Sequence, residues 1–122
     1  MRYLVDSNII IYHLNSELSA TNFLKQYQNH IAISIITYIE VLSFDFTISE
    51  TKYVEKLLSK FKILDIDMNI SQQAISNRKS RKIKLPDNLI LSTAMRYNLT
   101  LVTRNTKDFI HFDIQLHNPI KV

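Results

Sequence analysis

An α/β fold around a central, mostly parallel sheet is what this 122-residue chain predicts. Three observations carry that expectation. Short apolar runs of strand character alternate along the chain with longer segments of helical periodicity. Acidic residues stand where apolar runs end, the side of a parallel sheet on which α/β proteins bind ligands. The hydrophobic fraction of 46% supports one core, and single domains run to about 100–150 residues. Residues 1–122 therefore read as one domain, with helices on both faces of a four- or five-stranded sheet.

The elements follow in order. Tyr3-Leu4-Val5 is a strand ending on Asp6, and residues 8–14 form a short helix. Residues 19–28 make a second helix capped by Ser19, with Phe23, Leu24 and Tyr27 on one face. Residues 31–34 alternate as a strand, and 36–44 fit a helix. Thr47-x-x-Glu50 is a capping box that opens a helix running to about Phe61. Residues 63–66 are a third strand, and Asn69 caps the helix that reaches into the basic run. Pro86-Asp87 punctuates before a helix over 88–97 and a fourth strand over 99–103. A short turn follows from Thr106, and residues 114–116 complete the sheet as an edge strand.

Composition removes several functions. With no cysteine there is no disulfide scaffold, thiolate zinc site or cysteine nucleophile. With no glycine there is no Gly-rich phosphate loop, and positions of positive φ fall to Asn, Asp or Ser. His13, His30, His111 and His117 lack metal-ligand spacing. Ser7 has no Ser–His arrangement to make it a nucleophile. The first apolar run breaks at Asp6, short of a secretory segment, and nothing approaches the roughly 18 apolar residues of a membrane span. A cytoplasmic protein without a membrane partner is expected. The net charge of +4 suits a polyanionic partner. Arg78, Lys79, Arg81, Lys82 and Lys84 form the densest basic run, suited to RNA phosphates or to a solvated helix end. Arg104 is a further candidate contact to RNA.

The chemistry rests on four acids: Asp6, Glu40, Asp87 and Asp108. Each has an ordinary alternative. Asp6 and Asp87 can cap helices, Glu40 completes a Thr37-x-x-Glu40 match to a capping box, and Asp108 can be a surface acid with Asn105 in its role. Connectivity puts Asp6, Glu40 and Asp108 on the strand-end side, whereas Asp87 opens a helix that returns to the sheet. Converging carboxylates raise each other's pKa and destabilise the fold. A hard divalent cation relieves that repulsion, and Mg²⁺ accepts one or two carboxylates together with substrate phosphate.

Tyr3-Leu4-Val5-Asp6-Ser7-Asn8, Thr37-x-x-Glu40, Leu85-Pro86-Asp87-Asn88-Leu89-Ile90 and Leu101-Val102-Thr103-Arg104-Asn105-Thr106-Lys107-Asp108-Phe109 together resemble the PIN-domain ribonucleases, most of all the VapC toxins of type II toxin–antitoxin systems. The blocks span nearly the whole chain in order, and Leu116-His117-Asn118-Pro119 is similar to the family's ending. The resemblance implies a three-layer α/β/α fold and a Mg²⁺- or Mn²⁺-dependent endoribonuclease that cuts RNA, of the tRNA or rRNA class, to arrest translation. It implies a cognate antitoxin and a homodimer. By the same resemblance Asp6 and Asp87 match the principal metal-binding aspartates, and Glu40 and Asp108 match further acids acting directly or through water. Asn8 matches the residue that steadies the site around the first Asp, Thr103 lies where a hydroxyl can hydrogen-bond the cluster, and Asn105 is a further candidate to support it. Ser43-Phe44-Asp45-Phe46 departs from the small step that many relatives carry after the Glu helix, and the stretch from Glu40 to Asp87 matches least.

Two other functions fit parts of the pattern. A phosphoacceptor receiver module has similar length and alternation, and Asp65 and Asp67 follow the third strand, where its acceptor would lie. Such modules have an acid pair after the first strand, where Ser7 and Asn8 follow Asp6 here. A PIN fold with an inactive site, used for binding alone, is the second alternative.

Overall fold

The apolar runs become five short strands in the computed structural model, which describes residues 1–121. They are β1 (Tyr3–Val5), β2 (Ile31–Ser34), β3 (Lys62–Leu64), β4 (Thr100–Val102) and β5 (Leu116–His117). Their order is β3-β2-β1-β4-β5, and every pairing is parallel. The sheet is thus wholly parallel and has the larger of the two expected strand numbers. The order also separates this chain from receiver modules, whose strands run 2-1-3-4-5. Here β3 is an edge strand two places from β1, so exposed Asp65 is remote from Asp6.

Six α-helices flank the sheet among the described residues: α1 (Ser7–Leu14), α2 (Leu18–Gln26), α3 (Ile35–Leu42), α4 (Ile48–Leu58), α5 (Met68–Ser80) and α6 (Leu85–Arg96). Side chains alternate across a strand, and the core divides accordingly. Tyr3, Val5, Ile31, Ile33 and Val102 face one cluster with Ile9, Ile10, Phe23, Val41 and Leu58 of α1–α4. Leu4, Ala32, Leu64 and Leu101 face the other with Ile90, Leu91 and Ala94 of α6. Burying one such Leu or Ile stabilises by about 1.5–3 kcal/mol, so a one-residue slip of β1, which exchanges its two faces, is strongly opposed.

Several caps differ from expectation. Glu17, not Ser19, caps α2, because its longer carboxylate reaches both the Ser19 N–H and the Ser19 hydroxyl. Asp67 caps α5 in place of Asn69 by accepting from the Ile70 N–H at 2.9 Å. The Thr47–Glu50 capping box is present in both directions. Ser16 and Asn98 carry positive φ of 65° and 54° just after α1 and α6. These are positions that a glycine ordinarily takes at helix ends.

Candidate active site

β1 delivers Asp6 to the carboxyl edge of the sheet, where the chain turns into α1. Asp6 caps that helix, accepting from the Ser7 N–H at 2.7 Å through Oδ1. Its other oxygen is held from just beyond β4, where the Thr103 hydroxyl donates to Oδ2 at 2.8 Å. Asn8 Nδ2 stands 3.2 Å from both Asp6 Oδ2 and Thr103 Oγ1. The Asn8 carbonyl oxygen accepts from the Arg104 N–H at 3.1 Å. The capping geometry and the place in the cluster therefore coexist at Asp6. Only 6% of this residue is exposed.

The Thr37–Glu40 match is no capping box. Ser34 caps α3 by accepting from the Ile36 N–H, and Thr37 is buried. Glu40, one turn further along, accepts from the Ser7 hydroxyl at 2.6 Å, and Ser7 Oγ also lies 3.2 Å from Thr37 Oγ1. Asp87 does not cap α6 either. The helix begins at Leu85 with Pro86 in its first turn, Lys84 occupies the cap position without a side-chain bond, and Asp87 falls in the first turn. Asp108 is exposed in a 3-10 turn over Thr106–Asp108.

Electrostatics ties the acids together. Burial pushes the Asp6 carboxyl up to about 6, with the Thr103 and Ser7 hydrogen bonds opposing and Asp87 and Glu40 adding to the rise. Asp87 is raised by its own burial, then by Glu40 and Asp108, with Lys84 opposing. The charges acting on Asp6 include two carboxylates and no basic side chain. Residues from β1, α3, α6 and the turn after β4 thus meet at one rim.

The donor set is carboxylate oxygen, the chemistry of a hard divalent cation. Among the described residues no three His, Cys, Asp or Glu side chains already close around one point.

The remaining candidates spread more widely. Asn105 does not reach the acids with its side chain, which is exposed. Its backbone N–H instead donates to Thr103 Oγ1 at 3.1 Å. Arg78 and Lys79 end α5, and Arg81 and Lys82 follow, all exposed. Of the basic run, Lys84 is the member whose charge is felt at Asp87. His13 is engaged with Thr21 at 2.7 Å, away from the acids. Sequence reasoning passed over Ser7 as a ligand-holding group. Its position beside Asp6 was visible, but the approach of α3 was not.

The sequence model of the PIN domain family matches residues 3–115. The chain belongs to the PIN domain family. This PIN domain is 33% identical to a chain in a toxin–antitoxin complex from Klebsiella pneumoniae, with a TM-score of 0.88 over 98% of this chain and 99% of that one. It is 28% identical to a chain of VapBC2 from Rickettsia felis, bound to a DNA fragment from their promoter, with a TM-score of 0.82 over 97% and 98% of the two chains. A chain of VapBC-1 from nontypeable Haemophilus influenzae is 25% identical, with a TM-score of 0.81 over 99% and 100%. A search of the curated proteins found no match. The recognition as a VapC-like PIN domain and the α/β/α fold both hold. PIN domains of this kind are nucleases that generally use divalent metal ions, which sets the chain apart from phosphoacceptor modules. Among the described residues no helix is long and apolar enough to cross a membrane.

Proposed function

We propose that this PIN domain is an endoribonuclease toxin, dependent on Mg²⁺ or Mn²⁺ and held in check by a protein antitoxin. One observation carries the reading. Asp6 is buried with its charge opposed by no basic group and worsened by Asp87 and Glu40, an arrangement that is costly unless a cation completes it. Asp6 and Asp87 are the groups that would hold the ion, with Glu40 and Asp108 acting on it directly or through water. A divalent cation bound there would act as a Lewis acid on the phosphoryl oxygen and raise the acidity of water.

The chain's own residues do the rest. Thr103, Asn8 and the Ser7 N–H orient Asp6, and Ser7 Oγ fixes Glu40. Lys84, Arg104 and the exposed cations after α5 neutralise RNA phosphates and so position the strand without reading its bases. The target class, tRNA or rRNA, and a homodimeric state follow the VapC resemblance, and the antitoxin partner follows the complexes in which the similar chains occur. An inactive, binding-only PIN domain is disfavoured because all four acids are present.

The test is cleavage of a mixed RNA pool by the purified chain, with Mg²⁺ or Mn²⁺ and with EDTA, beside Asp6→Asn. Discrete cuts that require both the metal and Asp6 are expected. A folded, antitoxin-free chain that cuts nothing would move the assignment to a binding module.

A further inference from the structure

Next along the chain from the acids lies a polar cleft of about 370 Å³, lined by Tyr12, Arg104, Asn105, Thr106, Lys107 and Asn118. We propose that it is a subsite for one unpaired nucleotide of the RNA strand, next to the bond that is cut. The proposal rests on the ribonuclease reading above and adds to it a source of sequence preference.

The cleft and the acid rim are joined through neighbouring residues. Tyr12 stands one helical turn beyond Asn8 on the same face of α1, and Asn8 is the residue hydrogen-bonded to Asp6. Arg104 follows Thr103, which donates to Asp6, and its N–H is bonded to Asn8. The turn from Asn105 leads to Asp108, whose charge acts on Asp87. A strand whose phosphate lies at the acids therefore places a neighbouring nucleotide at this cleft.

The lining has the parts that a nucleotide needs. Tyr12, half-buried and packed against the core beneath α1, also lines the cleft and offers it an aromatic surface on which a base stacks, irrespective of which base it is. Arg104 and Lys107 supply charge for a flanking phosphate. The amides of Asn105 and Asn118 and the Thr106 hydroxyl offer donors and acceptors to base edges, the means by which unpaired RNA is read. Neither Asn105 nor Lys107 is needed to hold the fold, since both side chains are exposed. The Asn118 carbonyl oxygen accepts from the Ile120 N–H at 3.0 Å, which fixes the plane of its amide and leaves the NH₂ group for a ligand. The volume is near the lower end of the roughly 300–1,000 Å³ typical of small-ligand sites, a size for one nucleotide rather than a folded segment.

The experiment measures KM, kcat and the nucleotide frequencies around each cut, using a randomised single-stranded RNA pool with Mn²⁺. The parent is compared with Tyr12→Ala, Tyr12→Phe and Asn105→Ala, and Mn²⁺ affinity is measured directly for each. Tyr12→Ala is expected to raise KM about tenfold, within the range of one lost base stack. It should also flatten the preference at one position beside the cut, while leaving Mn²⁺ affinity within about twofold. Tyr12→Phe restores KM and preference. Asn105→Ala flattens the same position, and because its side chain is exposed it keeps the question open to test if Tyr12→Ala unfolds. An unchanged cut profile in Asn105→Ala together with an unchanged KM in Tyr12→Ala overturns the subsite, as does a loss of antitoxin affinity in these variants with RNA kinetics intact. A parent chain that cuts no RNA overturns the ribonuclease reading itself, before any variant is compared.

Discussion

Ser7 binds two carboxylates at once: its hydroxyl donates to Glu40 Oε1 at 2.6 Å, and its backbone N–H donates to Asp6 Oδ1 at 2.7 Å. One residue thereby sets the separation of acids that come from α1's cap and from α3. Ser7→Ala leaves Glu40 free to rotate away. A hydrogen bond to a charged group contributes about 1.5–3 kcal/mol, so Mn²⁺ affinity should fall roughly tenfold and RNA cleavage with it. Titration calorimetry on the metal-free chain checks the first, and Ser7→Thr should recover most of it. Unaltered Mn²⁺ binding in Ser7→Ala would show that Glu40 does not need this donor.

Asp6 predicts a pH dependence. Its folded carboxyl titrates at about 6 against 3.8 as its ordinary value, so the folded chain binds this proton more tightly than the unfolded one. Its contribution favours the fold below about pH 4 and is lost as pH rises through about 6. The loss amounts to about 3 kcal/mol at most. Metal-free thermal melts between pH 4 and pH 7 should show it as a fall in Tm, and saturating Mg²⁺ at pH 7 should reverse much of the fall. An Asp6→Asn chain should lack the component.

Asp87→Asn should abolish cleavage while raising metal-free stability at pH 7. The residue does not cap its helix, so removing its charge relieves repulsion from Glu40 and Asp108. Asp87 also sits at the positive end of α6, which offsets part of the gain. With solvent screening the net effect is below about 1 kcal/mol, a rise in Tm of roughly 2–4 °C. A clear fall in Tm would return Asp87 to a structural role.

Between α5 and α6, Asn77 Nδ2 lies 3.1 Å from Asn88 Oδ1 and 3.0 Å from Ser92 Oγ, and Asn88 Nδ2 donates to the Ala74 carbonyl at 2.8 Å. All three side chains are buried. Asn77→Ala removes both donations, although the Ser92 hydroxyl still donates to Asn88 Oδ1 at 3.2 Å, and should destabilise by about 1 kcal/mol. Urea unfolding measures it. A change under about 0.5 kcal/mol would mean that the helices repack without this junction.

The two positive-φ positions give a stability test that leaves the acids untouched. Ser16 at φ 65° bears left-handed strain that glycine does not. Against this stands glycine's entropy loss of about 0.5–1 kcal/mol. Ser16→Gly should therefore stabilise by up to about 1 kcal/mol, visible as a higher urea midpoint with unchanged cleavage.

Much of this was legible in the chain. The alternation of elements sufficed for a parallel α/β sheet, and Thr47-x-x-Glu50 located the start of α4. The same textual pattern misled at Thr37-x-x-Glu40. A box needs its Ser or Thr at the N-cap, and Thr37 lies within α3, with Ser34 already at the cap. Asp87 was legible by resemblance alone, since nothing local says where α6 will set its first turn against the sheet. Asn105 looked able to take the role of Asp108, but its backbone rather than its amide bonds to the cluster, at Thr103. The Asn77–Asn88 junction left no trace that spacing could reveal, because it joins two helices across a loop.

The strand order has a consequence for synthesis on the ribosome. β1 leaves the exit tunnel first, yet it lies mid-sheet, and one of its two neighbours is β4, near the end of the chain. Until residues 100–103 emerge, Asp6 lacks the Thr103 hydroxyl, and until residue 87 emerges the rim has no Asp87. The acids are thus dispersed in the growing chain and gather only after β4 and the turn behind it have been made. A chain that stalls just before residue 100 carries Asp6, Glu40 and Asp87 without the Thr103 hydroxyl or Asp108 that complete the rim.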